Sequence, residues 1–527
     1  MPAGFAITAA LLLAPFALSP LSAADPAPFD LPGPALGISV TRNGVTLPIG
    51  EVPALAEGDK LTIAADLPED QRARFLLLSA FLSGATNPPP KDWIRTAETW
   101  KRKAKDKRLA LTVPEGARQL VLFLVPETGG ASDTITDAVR GRPGEFVRAT
   151  QDLNQASLDR SRLNVFMAAI RAQEDTHPEY LRSIAPRLAR SLSMKLNADC
   201  LAQVIEQQAA CLLENRDSLI LADVHTSSLS DTLVGAPTDL ALQLSYTREG
   251  GLGYYSPYIG VVRDIARVFG AFSNPQFGYL PTLSLRQGDR VSLLLNAAPS
   301  FAKPKSVMVV SMPAIGPDRP PQLHNAAERP ICATRPNAVL PVEGAPLIYS
   351  TGYARNMKVR LAAASGRTLD LPVKARPDLG GYVWAGAIPA GAPKGAVTAQ
   401  LHGFWGFDPF DGPQFDLQFP SDAGWSAGEG APLAVGRDNK VVLSGPAPAC
   451  VESIALRSGN SPSRPIAWTM ADDGRIAVTL PLRETPGGEV AIEIRQFGAA
   501  KPVKLPLPVQ ADAAPVEPAA TPAPPAP

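Results

Sequence analysis

The sequence predicts a mainly β protein with a helical module, organised as tandem β-sandwich domains plus an inserted helical segment. Apolar and polar residues alternate over most of the chain, which is typical of half-buried strands. Between residues 131 and 216 the pattern changes, and apolar residues recur three or four positions apart, as on one face of a helix. A chain of 527 residues is too long for one hydrophobic core, so several domains are expected.

One local pattern occurs three times: a strand, a turn that contains proline, and a second strand. It runs over Leu109–Val125, Tyr382–Gly403 and Ile476–Gly498. In the first copy we expect the two strands to pair with each other around Pro114–Ala117. Repeats of this form predict tandem sandwiches of the immunoglobulin-like kind, each of about 80–100 residues.

Changes in composition divide the chain into segments. The sequence leaves open whether the mixed segment that follows the helices completes the first sandwich around them. The carboxy-terminal tail is mostly Ala and Pro and is expected to be disordered. The expected segments are a signal peptide (1–24), a Pro-rich lead-in (25–35), a β-sandwich-like domain (36–130), a helical module (131–216), a mixed β/α segment (217–325), a β-sandwich-like domain (326–421), a linker (422–432), a β-sandwich-like domain (433–510) and the tail (511–527).

The amino terminus predicts export. Ala9–Phe16 is a short apolar run, and Leu21–Ala24 supplies the small residues of a cleavage site, as in a secretory signal peptide. The usual positive charge before the apolar run is missing, because no Lys or Arg precedes Arg42. The mature chain would start near Ala24 or Asp25 and would be periplasmic or secreted, in an oxidising compartment.

Charge and motifs exclude several classes of function. Fifty basic and fifty acidic residues give a net charge of zero, whereas general nucleic-acid binding requires a basic surface. No later apolar run reaches the roughly 18 residues that cross a bilayer, so we expect no transmembrane span after signal removal. The common nucleotide, dinucleotide, zinc-protease and serine-hydrolase motifs are missing, so we expect no cofactor and no metal.

The four cysteines, Cys200, Cys211, Cys332 and Cys450, predict two disulfides in an exported chain. Loop-closure entropy favours the bond of Cys200 with Cys211, which leaves Cys332 for Cys450. One unbroken helix would hold the first pair about 16 Å apart, whereas a disulfide spans at most about 7 Å. The bond therefore needs a helix break, although no Gly or Pro lies between the two residues. The alternative is a pair of buried free thiols.

A catalytic candidate follows the apolar run Leu219–Ala222. If that run is a strand, Asp223 and His225 share one face about 7 Å apart, and Ser228 is close by. A carboxylate, an imidazole and a hydroxyl together are what nucleophilic catalysis needs. The alternative is a strand-to-loop corner whose polar side chains cap the next turn.

A binding candidate lies in residues 403–419, where aromatic and acidic residues interleave. Trp405 and Phe407 could stack on sugar rings, while Asp408 and Asp411 could accept hydrogen bonds from sugar hydroxyls. Closely spaced Asp side chains could also hold Ca²⁺. The alternative is a hairpin whose aromatic residues fill a sandwich core or a domain junction.

A basic run, Lys101–Arg108, holds six basic residues in eight and is flanked by Trp93 and Trp100. It could contact anionic envelope glycans or lipid head groups. The alternative is a solvated surface segment, in which Lys also discourages edge pairing.

Together these observations favour an exported multi-domain envelope protein with a structural or binding role. Its expected partner is an envelope glycan or another envelope protein. One alternative is a periplasmic hydrolase that uses Asp223 and His225. The other is a carbohydrate-binding protein that uses the segment from Phe404 to Asp416.

Overall fold

The computed structural model describes residues 29–66, 74–84, 87–100, 107–126, 131–214, 275–317, 320–362, 368–389, 391–428, 433–471, 474–483 and 489–510. Within these ranges the chain is mainly β with a helical module, as the sequence predicts. The expected domain boundaries remain predictions.

The first part of the described chain is one ten-stranded sheet, which we call the amino-terminal sheet. Its strands are β1 (Leu31–Arg42), β2 (Val45–Pro48), β3 (Lys60–Asp66), β4 (Phe75–Leu82), β5 (Ile94–Glu98), β6 (Arg108–Thr112), β7 (Gln119–Pro126), β8 (Phe277–Gln287), β9 (Arg290–Leu295) and β10 (Lys305–Ser311).

The strand order shows where the helices are inserted. The order is β5-β4-β7-β10-β8-β9-β1-β3-β6, and β2 pairs with β1. The end strands β5 and β6 lie near each other, so the sheet is rolled around its own core. Strands β8, β9 and β10 follow the helices in sequence yet lie in the middle of this sheet. The helical module is therefore an insertion between β7 and β8.

The helices cover the outer face of the strands β4, β7, β10 and β8. Because these strands are buried on both faces, β7 is a continuous apolar run rather than an alternating one. Phe146, Leu163 and Ile170 of the long second helix belong to the same buried cluster as Phe123 and Val309 of the sheet. The rings of Phe146 and Phe123 make an edge contact, with centres 5.8 Å apart. The helices are α1 (Ala131–Gly141), α2 (Pro143–Thr176), α3 (Leu181–Ser191), α4 (Ala198–Ala202) and α5 (Ile205–Glu214).

A break between α4 and α5 allows the expected first disulfide. Gln203 is extended, with φ −69° and ψ 169°, and the α-carbons of Cys200 and Cys211 lie 5.4 Å apart in a disulfide. The amide of Gln208 donates hydrogen bonds to the carbonyl oxygens of Leu201, at 3.2 Å, and Gln203, at 2.8 Å. A side-chain amide thus satisfies carbonyls at the helix end, which explains a break without Gly or Pro.

The second part, which we call the middle sandwich, starts at residue 320. This sandwich has two sheets that share one strand, β15 (Thr368–Arg376). The first half of β15 pairs with β14 (Ala354–Ala362), and the second half pairs with β16 (Gly381–Trp384). One sheet has the order β11-β13-β16-β15, and the other has β15-β14-β17-β18-β12. The elements are β11 (His324–Asn325), β12 (Ile331–Cys332), β13 (Val339–Glu343), α6 (Leu347–Ser350), β14 (Ala354–Ala362), β15 (Thr368–Arg376), β16 (Gly381–Trp384), β17 (Gly395–Trp405) and β18 (Asp408–Phe419).

The third part, the carboxy-terminal sandwich, encloses a core of alternating apolar residues. Its strands are β19 (Ser426–Ala427), β20 (Leu433–Ala434), β21 (Asp438–Ser444), β22 (Val451–Ser458), β23 (Arg464–Pro465), β24 (Trp468–Met470), β25 (Ile476–Pro481), β26 (Val490–Gln496), β27 (Val503–Leu507) and β28 (Val509–Gln510). The sheets β19-β21-β25-β24 and β23-β22-β26-β27 face each other, and β20 pairs with β28. This division of the strands is that of an immunoglobulin-like sandwich.

The repeated pattern of strand, turn and strand differs from the expectation in one respect. We expected the strands of its first copy, β6 and β7, to pair, and this was wrong. Instead β6 pairs with β3, while β7 pairs with β4 and β10. In the second copy β16 and β17 do not pair, and in the third β25 and β26 belong to different sheets. The proline-containing turn therefore connects strands that are not neighbours in a sheet.

Candidate functional site

The predicted binding segment forms the β17–β18 hairpin, which reaches from the middle sandwich to the amino-terminal sheet. Trp405 pairs with Asp408, so Gly406 and Phe407 form the turn. Gly406 has a φ of +60°, and a Cβ there would lie 2.6 Å from Cδ of Pro53. Glycine is therefore required both for the backbone conformation and for the close approach of the two parts.

Phe407 packs at the junction of the two parts. Its ring centre lies 4.4 Å from the guanidinium carbon of Arg42. Nε and Nη2 of Arg42 donate to the two carboxylate oxygens of Asp59 at 2.8 and 2.9 Å. The Asp59 side chain is fully buried and also accepts from the backbone N–H of Ala56. A cation–π contact held in place by an ion pair therefore joins the hairpin to β1.

A second set of contacts surrounds the same turn. Nε of Arg355 donates to the carbonyl oxygen of Gly406 at 2.7 Å and lies 3.9 Å from a carboxylate oxygen of Glu51. The backbone N–H of Gly352 donates to the carbonyl oxygen of Gly50 at 3.2 Å. Charged and backbone groups from both parts thus meet around one hairpin tip.

The four predicted binding residues do not form one platform. Trp405 is buried, and its ring makes an edge contact with Tyr353 at 5.5 Å. Phe407 is engaged with Arg42, whereas Asp408 and Asp411 are exposed. Of the other aromatic residues of the segment, Phe410 and Phe415 are buried in the core, whereas Phe404 is exposed. Core or junction packing of the aromatic residues is the alternative that the sequence left open, and it holds for all of them except Phe404. The sugar-binding role of the four residues remains a hypothesis.

A surface cleft lies beside the same hairpin. Its volume is about 390 Å³, and Phe410 and Asp411 form one side of it. The segment from Pro320 to His324 forms the other side. The Phe410 ring is 4% exposed and belongs to the core, so the accessible groups of the cleft are prolines, the Asp411 carboxylate and the His324 imidazole. The cleft is therefore able to contact a ligand with both apolar and polar groups.

A charged cluster that no sequence motif singled out lies on the outer face of the middle sandwich. Nε and Nη2 of Arg360 donate to the two carboxylate oxygens of Asp370 at 3.0 and 3.3 Å. Nε2 of His402 lies 3.2 Å from the same carboxylate. The hydrogen bond from Arg360, followed by the charge of His402, lowers the pKa of Asp370 below its usual value. Alternation along β14, β15 and β17 places all three on one face and was the available signal.

The second disulfide crosslinks two sandwiches. Cys332 lies in β12 of the middle sandwich, and Cys450 lies directly before β22 of the carboxy-terminal sandwich. Their α-carbons are 4.8 Å apart. Oγ1 of Thr334 donates to the carbonyl oxygen of Phe497 at 2.7 Å, and Oε1 of Gln418 accepts from the backbone N–H of Ala449 at 2.8 Å. Both cysteines are buried in the small apolar cluster at this interface.

Two further predicted sites fall largely outside the described residues. Asp223, His225 and Ser228 lie in the segment 215–274, and most of the run Lys101–Arg108 lies in 101–106. Among the residues that the structure describes, no group of three or more His, Cys, Asp or Glu side chains is arranged to hold a metal ion.

Comparison with known proteins finds solved structures that match parts of this chain at low sequence identity. No family model matches the chain, and no curated protein is similar to it. Titin Ig tandem domains A164-A165 are 14% identical over 30% of this chain and 82% of that chain, with a TM-score of 0.13. The N-terminal four Ig domains of Dscam1 isoform 6.44 are 9% identical over 37% of this chain and 54% of that chain, with a TM-score of 0.18.

A bacterial structure is similar at the same level. SGBP-B of the Bacteroides ovatus mixed-linkage glucan utilization locus, in complex with a mixed-linkage heptasaccharide, is 10% identical to this chain. The match covers 37% of this chain and 48% of that chain, with a TM-score of 0.14. Identities and TM-scores this low carry no argument about function. Separately, none of the helices in the described ranges is long and apolar enough to span a membrane.

Proposed function

We propose that this chain is a non-enzymatic protein of the cell envelope that holds binding surfaces at fixed positions. The observation that carries this proposal is the disulfide of Cys332 with Cys450, because it crosslinks neighbouring sandwiches rather than stabilising one of them. Tandem modules usually move relative to each other, since the interfaces between them are small and polar. A covalent bond across such an interface opposes that motion.

Hydrogen bonds across the same interface support a rigid arrangement. Gln496 and Ser421 exchange two bonds: the backbone N–H of Ser421 donates to Oε1 of Gln496 at 3.1 Å, and Nε2 of Gln496 donates to the carbonyl oxygen of Ser421 at 2.7 Å. Gln496 is buried, so losing either bond would leave a buried polar group unsatisfied. A protein that spans or bridges a fixed distance needs such a constraint.

The proposed location is periplasmic or secreted. Disulfides persist in oxidising compartments, and the apolar amino terminus is typical of an exported chain. The proposed partner is an envelope glycan or another envelope protein. Cell fractionation followed by amino-terminal sequencing tests the location. A start near Ala24 or Asp25 in the envelope fraction is expected, and an intact Met1 in cytosolic protein would contradict it.

The rigid arrangement is tested by removing the crosslink. In the double variant Cys332→Ser with Cys450→Ser, small-angle scattering should show a broader distribution of molecular dimensions than in the wild type. The matched control, Cys200→Ser with Cys211→Ser, removes a disulfide inside the helical module and should leave that distribution unchanged. Both variants are compared at a temperature at which their circular dichroism is native. An unchanged distribution in the first variant would contradict the proposal.

The cleft beside the hairpin favours carbohydrate binding as a second candidate function. Its volume of about 390 Å³ accommodates a sugar ring, and the exposed carboxylate of Asp411 can accept hydrogen bonds from sugar hydroxyls, while Pro320, Pro321 and Pro409 provide apolar surface. Calorimetric titration with soluble peptidoglycan fragments should show binding that Asp411→Asn weakens. Asp416→Asn, an exposed change on the same strand outside the cleft, is the control. Equal affinities of the wild type and Asp411→Asn would count against the cleft as the site.

A further inference from the structure

The cleft beside the β17–β18 hairpin opens onto the outer face of the middle sandwich. Two of the residues that line it, Pro409 and Asp411, are exposed and lie on either side of the buried Phe410 in β18. Successive side chains of a strand point to opposite faces of the sheet, so Pro409 and Asp411 both lie on the face away from the core. The cleft is therefore continuous with the outer face of the strands β18, β17 and β14.

The first row of residues that starts at the cleft carries an exposed aromatic ring. Phe404 of β17 is paired with Pro409 of β18 on one side and with Arg355 of β14 on the other. Directly opposite residues of an antiparallel pair share a face and lie close together. The guanidinium carbon of Arg355 lies 5.0 Å from the ring centre of Phe404, and Nε of Arg355 donates to the carbonyl oxygen of Gly406. Because Phe404 is 37% exposed, a positioned aromatic surface adjoins the cleft.

The second row that starts at the cleft is polar. His402 of β17 is paired with Asp411 of the cleft on one side and with Lys358 of β14 on the other. Nε2 of His402 lies 3.2 Å from a carboxylate oxygen of Asp370, which also accepts a hydrogen bond from Arg360. The charged cluster thus holds the imidazole in place, whereas Asp411 and Lys358 are exposed. This row presents a hydrogen-bond acceptor at the cleft and a donor two strands away from it.

The charged side chains of the strands β14, β15, β17 and β18 nearly balance. Besides His402, they are Arg355, Lys358, Arg360, Lys374 and Arg376 against Asp370, Asp408, Asp411 and Asp416. Two of the arginines already have an acidic neighbour, Glu51 for Arg355 and Asp378 for Arg376. Exposed uncharged side chains, those of Thr368, Thr398 and Gln414, lie on the same strands. The face therefore offers hydrogen bonds without a large surplus of one charge, which suits an uncharged ligand with many hydroxyls.

The two rows extend well beyond the cleft. Neighbouring strands of a sheet lie about 4.8 Å apart, so the distance across the face from β18 to β14 is roughly 10 Å. A ligand that filled the cleft alone would leave Phe404 and Lys358 uncovered. A longer ligand that crosses the three strands would contact the aromatic ring of the first row and the polar groups of the second row at the same time.

We propose that the cleft and the two rows form one extended site for an uncharged oligosaccharide, with Asp411 at one end and Lys358 at the other. The Phe404 ring stacks on the apolar face of a sugar outside the cleft. The Asp411 carboxylate accepts hydrogen bonds from hydroxyls, and the Lys358 ammonium donates to hydroxyl oxygens. The inference rests on carbohydrate binding in the cleft, the second candidate function, and adds the length of the ligand and the residues that bind its far end.

Calorimetric titration of the purified chain with N-acetylglucosamine oligomers, which are uncharged, tests the proposal. The pentamer should bind about tenfold more tightly than the dimer, because it reaches both rows. Phe404→Ala should weaken binding of the pentamer about fivefold through lost stacking. Lys358→Ala should weaken it about threefold through a lost hydrogen bond. Neither change should alter the affinity for the dimer, and raising the salt concentration should change binding of the pentamer little.

Matched controls separate the rows from the rest of the surface. Tyr180→Ala removes an exposed aromatic side chain of the helical module, and Thr368→Ala changes an exposed residue of β15 outside both rows. Both should bind like the wild type. Phe404→Leu keeps an apolar side chain beside Arg355 but lacks the flat ring, so it should bind the pentamer as weakly as Phe404→Ala while melting close to the wild type.

The outcomes distinguish this inference from the candidate function on which it rests. Equal affinities for dimer and pentamer, or unchanged binding of the pentamer by Phe404→Ala, would overturn the extended site and leave the cleft as a candidate. Binding of neither oligomer would overturn both. Binding of an anionic oligogalacturonate in preference to the pentamer would overturn the assignment of an uncharged ligand.

Discussion

The guanidinium carbon of Arg42 lies 4.4 Å from the ring centre of Phe407, although the two residues are more than three hundred positions apart in the chain. This contact joins the last residue of β1 to the turn of the β17–β18 hairpin. Asp59 holds Arg42 through two hydrogen bonds, which fix the guanidinium where the ring of Phe407 packs on it. Preorganisation of this kind reduces the entropy lost when the two parts pack together.

Phe407→Ala should loosen that junction. The change removes a half-buried ring and a cation–π contact, which together correspond to about 2 kcal/mol. We expect a lower melting temperature and faster hydrogen exchange at the amide of Gly406, which donates to the carbonyl oxygen of Tyr353 at 2.9 Å. Val442→Ala, at an exposed position of the carboxy-terminal sandwich, is the control and should leave exchange at Gly406 unchanged. Equal exchange rates in the two variants would contradict the assignment.

Both disulfides should form in protein recovered from an oxidising compartment. Peptide mapping without reduction should recover Cys200 linked to Cys211, and Cys332 linked to Cys450. Replacing either pair by Ser should cost about 2–4 kcal/mol, because the open chain regains entropy in the unfolded state. Four thiols that react with an alkylating reagent in native protein would contradict both the pairing and the proposed compartment.

Acid should weaken the middle sandwich partly through Asp370. Arg360 and His402 lower the pKa of this carboxyl below its usual 3.8, so its contribution to stability is present above the unfolded pKa. That contribution is lost as the pH falls through the lowered pKa that Asp370 has in the folded state. Because the pair is largely solvated, we expect this contribution to be small. Melting curves between about pH 5 and pH 2 of Asp370→Asn, Arg360→Gln and the double variant measure it. If the losses of stability in the two single variants add up to the loss in the double variant, the ion pair of Arg360 with Asp370 contributes nothing.

Residues 320–510 should fold without the rest of the chain. This fragment contains both sandwiches and both cysteines of the second disulfide. We expect a β-type circular dichroism spectrum and a cooperative melt. A fragment from Pro341 to Val509 is the informative comparison, because it lacks β11, β12 and Cys332 and should melt at a lower temperature. A helical spectrum, or no melt in the longer fragment, would contradict the modular interpretation.

The binding and hydrolase hypotheses predict different phenotypes when Asp223 and His225 are replaced. If the protein is a binding or structural protein, Asp223→Asn with His225→Ala should leave any cellular phenotype of the gene intact. Catalysis needs a base, a nucleophile and a charge-stabilising group close to one reacting atom. The sequence around His225 offers candidates for two of these three groups. Loss of the phenotype with an unchanged melting curve would favour the hydrolase.

Local sequence pattern predicted several of the strands and helices but not which strands lie beside each other. Alternation identified the strand at Leu109–Val113, seen as β6, and the apolar run at Gln119–Val125 identified β7. The expected pairing of these two strands was wrong, because each pairs with strands elsewhere in the amino-terminal sheet. Alternation reports that one face of a strand is buried, and carries no information about which strand lies beside it.

The disulfide pairing is predictable for a reason that lies within the chain itself. Closing a short loop costs less entropy than closing a long one, so the spacing of the cysteines favours Cys200 with Cys211 over the more distant pairs. The helix break that permits this bond was not predictable in position, because it depends on the amide of Gln208 reaching two carbonyls across the turn.

The sequence by itself determined the fold class, the position of the helical module and the expected cysteine pairs, because periodicity, composition and loop length are properties of short segments. Tertiary structure alone decided that β8, β9 and β10 complete the sheet begun by β1, that Phe407 packs on Arg42, and that Cys332 links two sandwiches. Those contacts join residues far apart in sequence. Their free energy depends on register, burial and the approach of whole sheets, none of which is encoded in a local window.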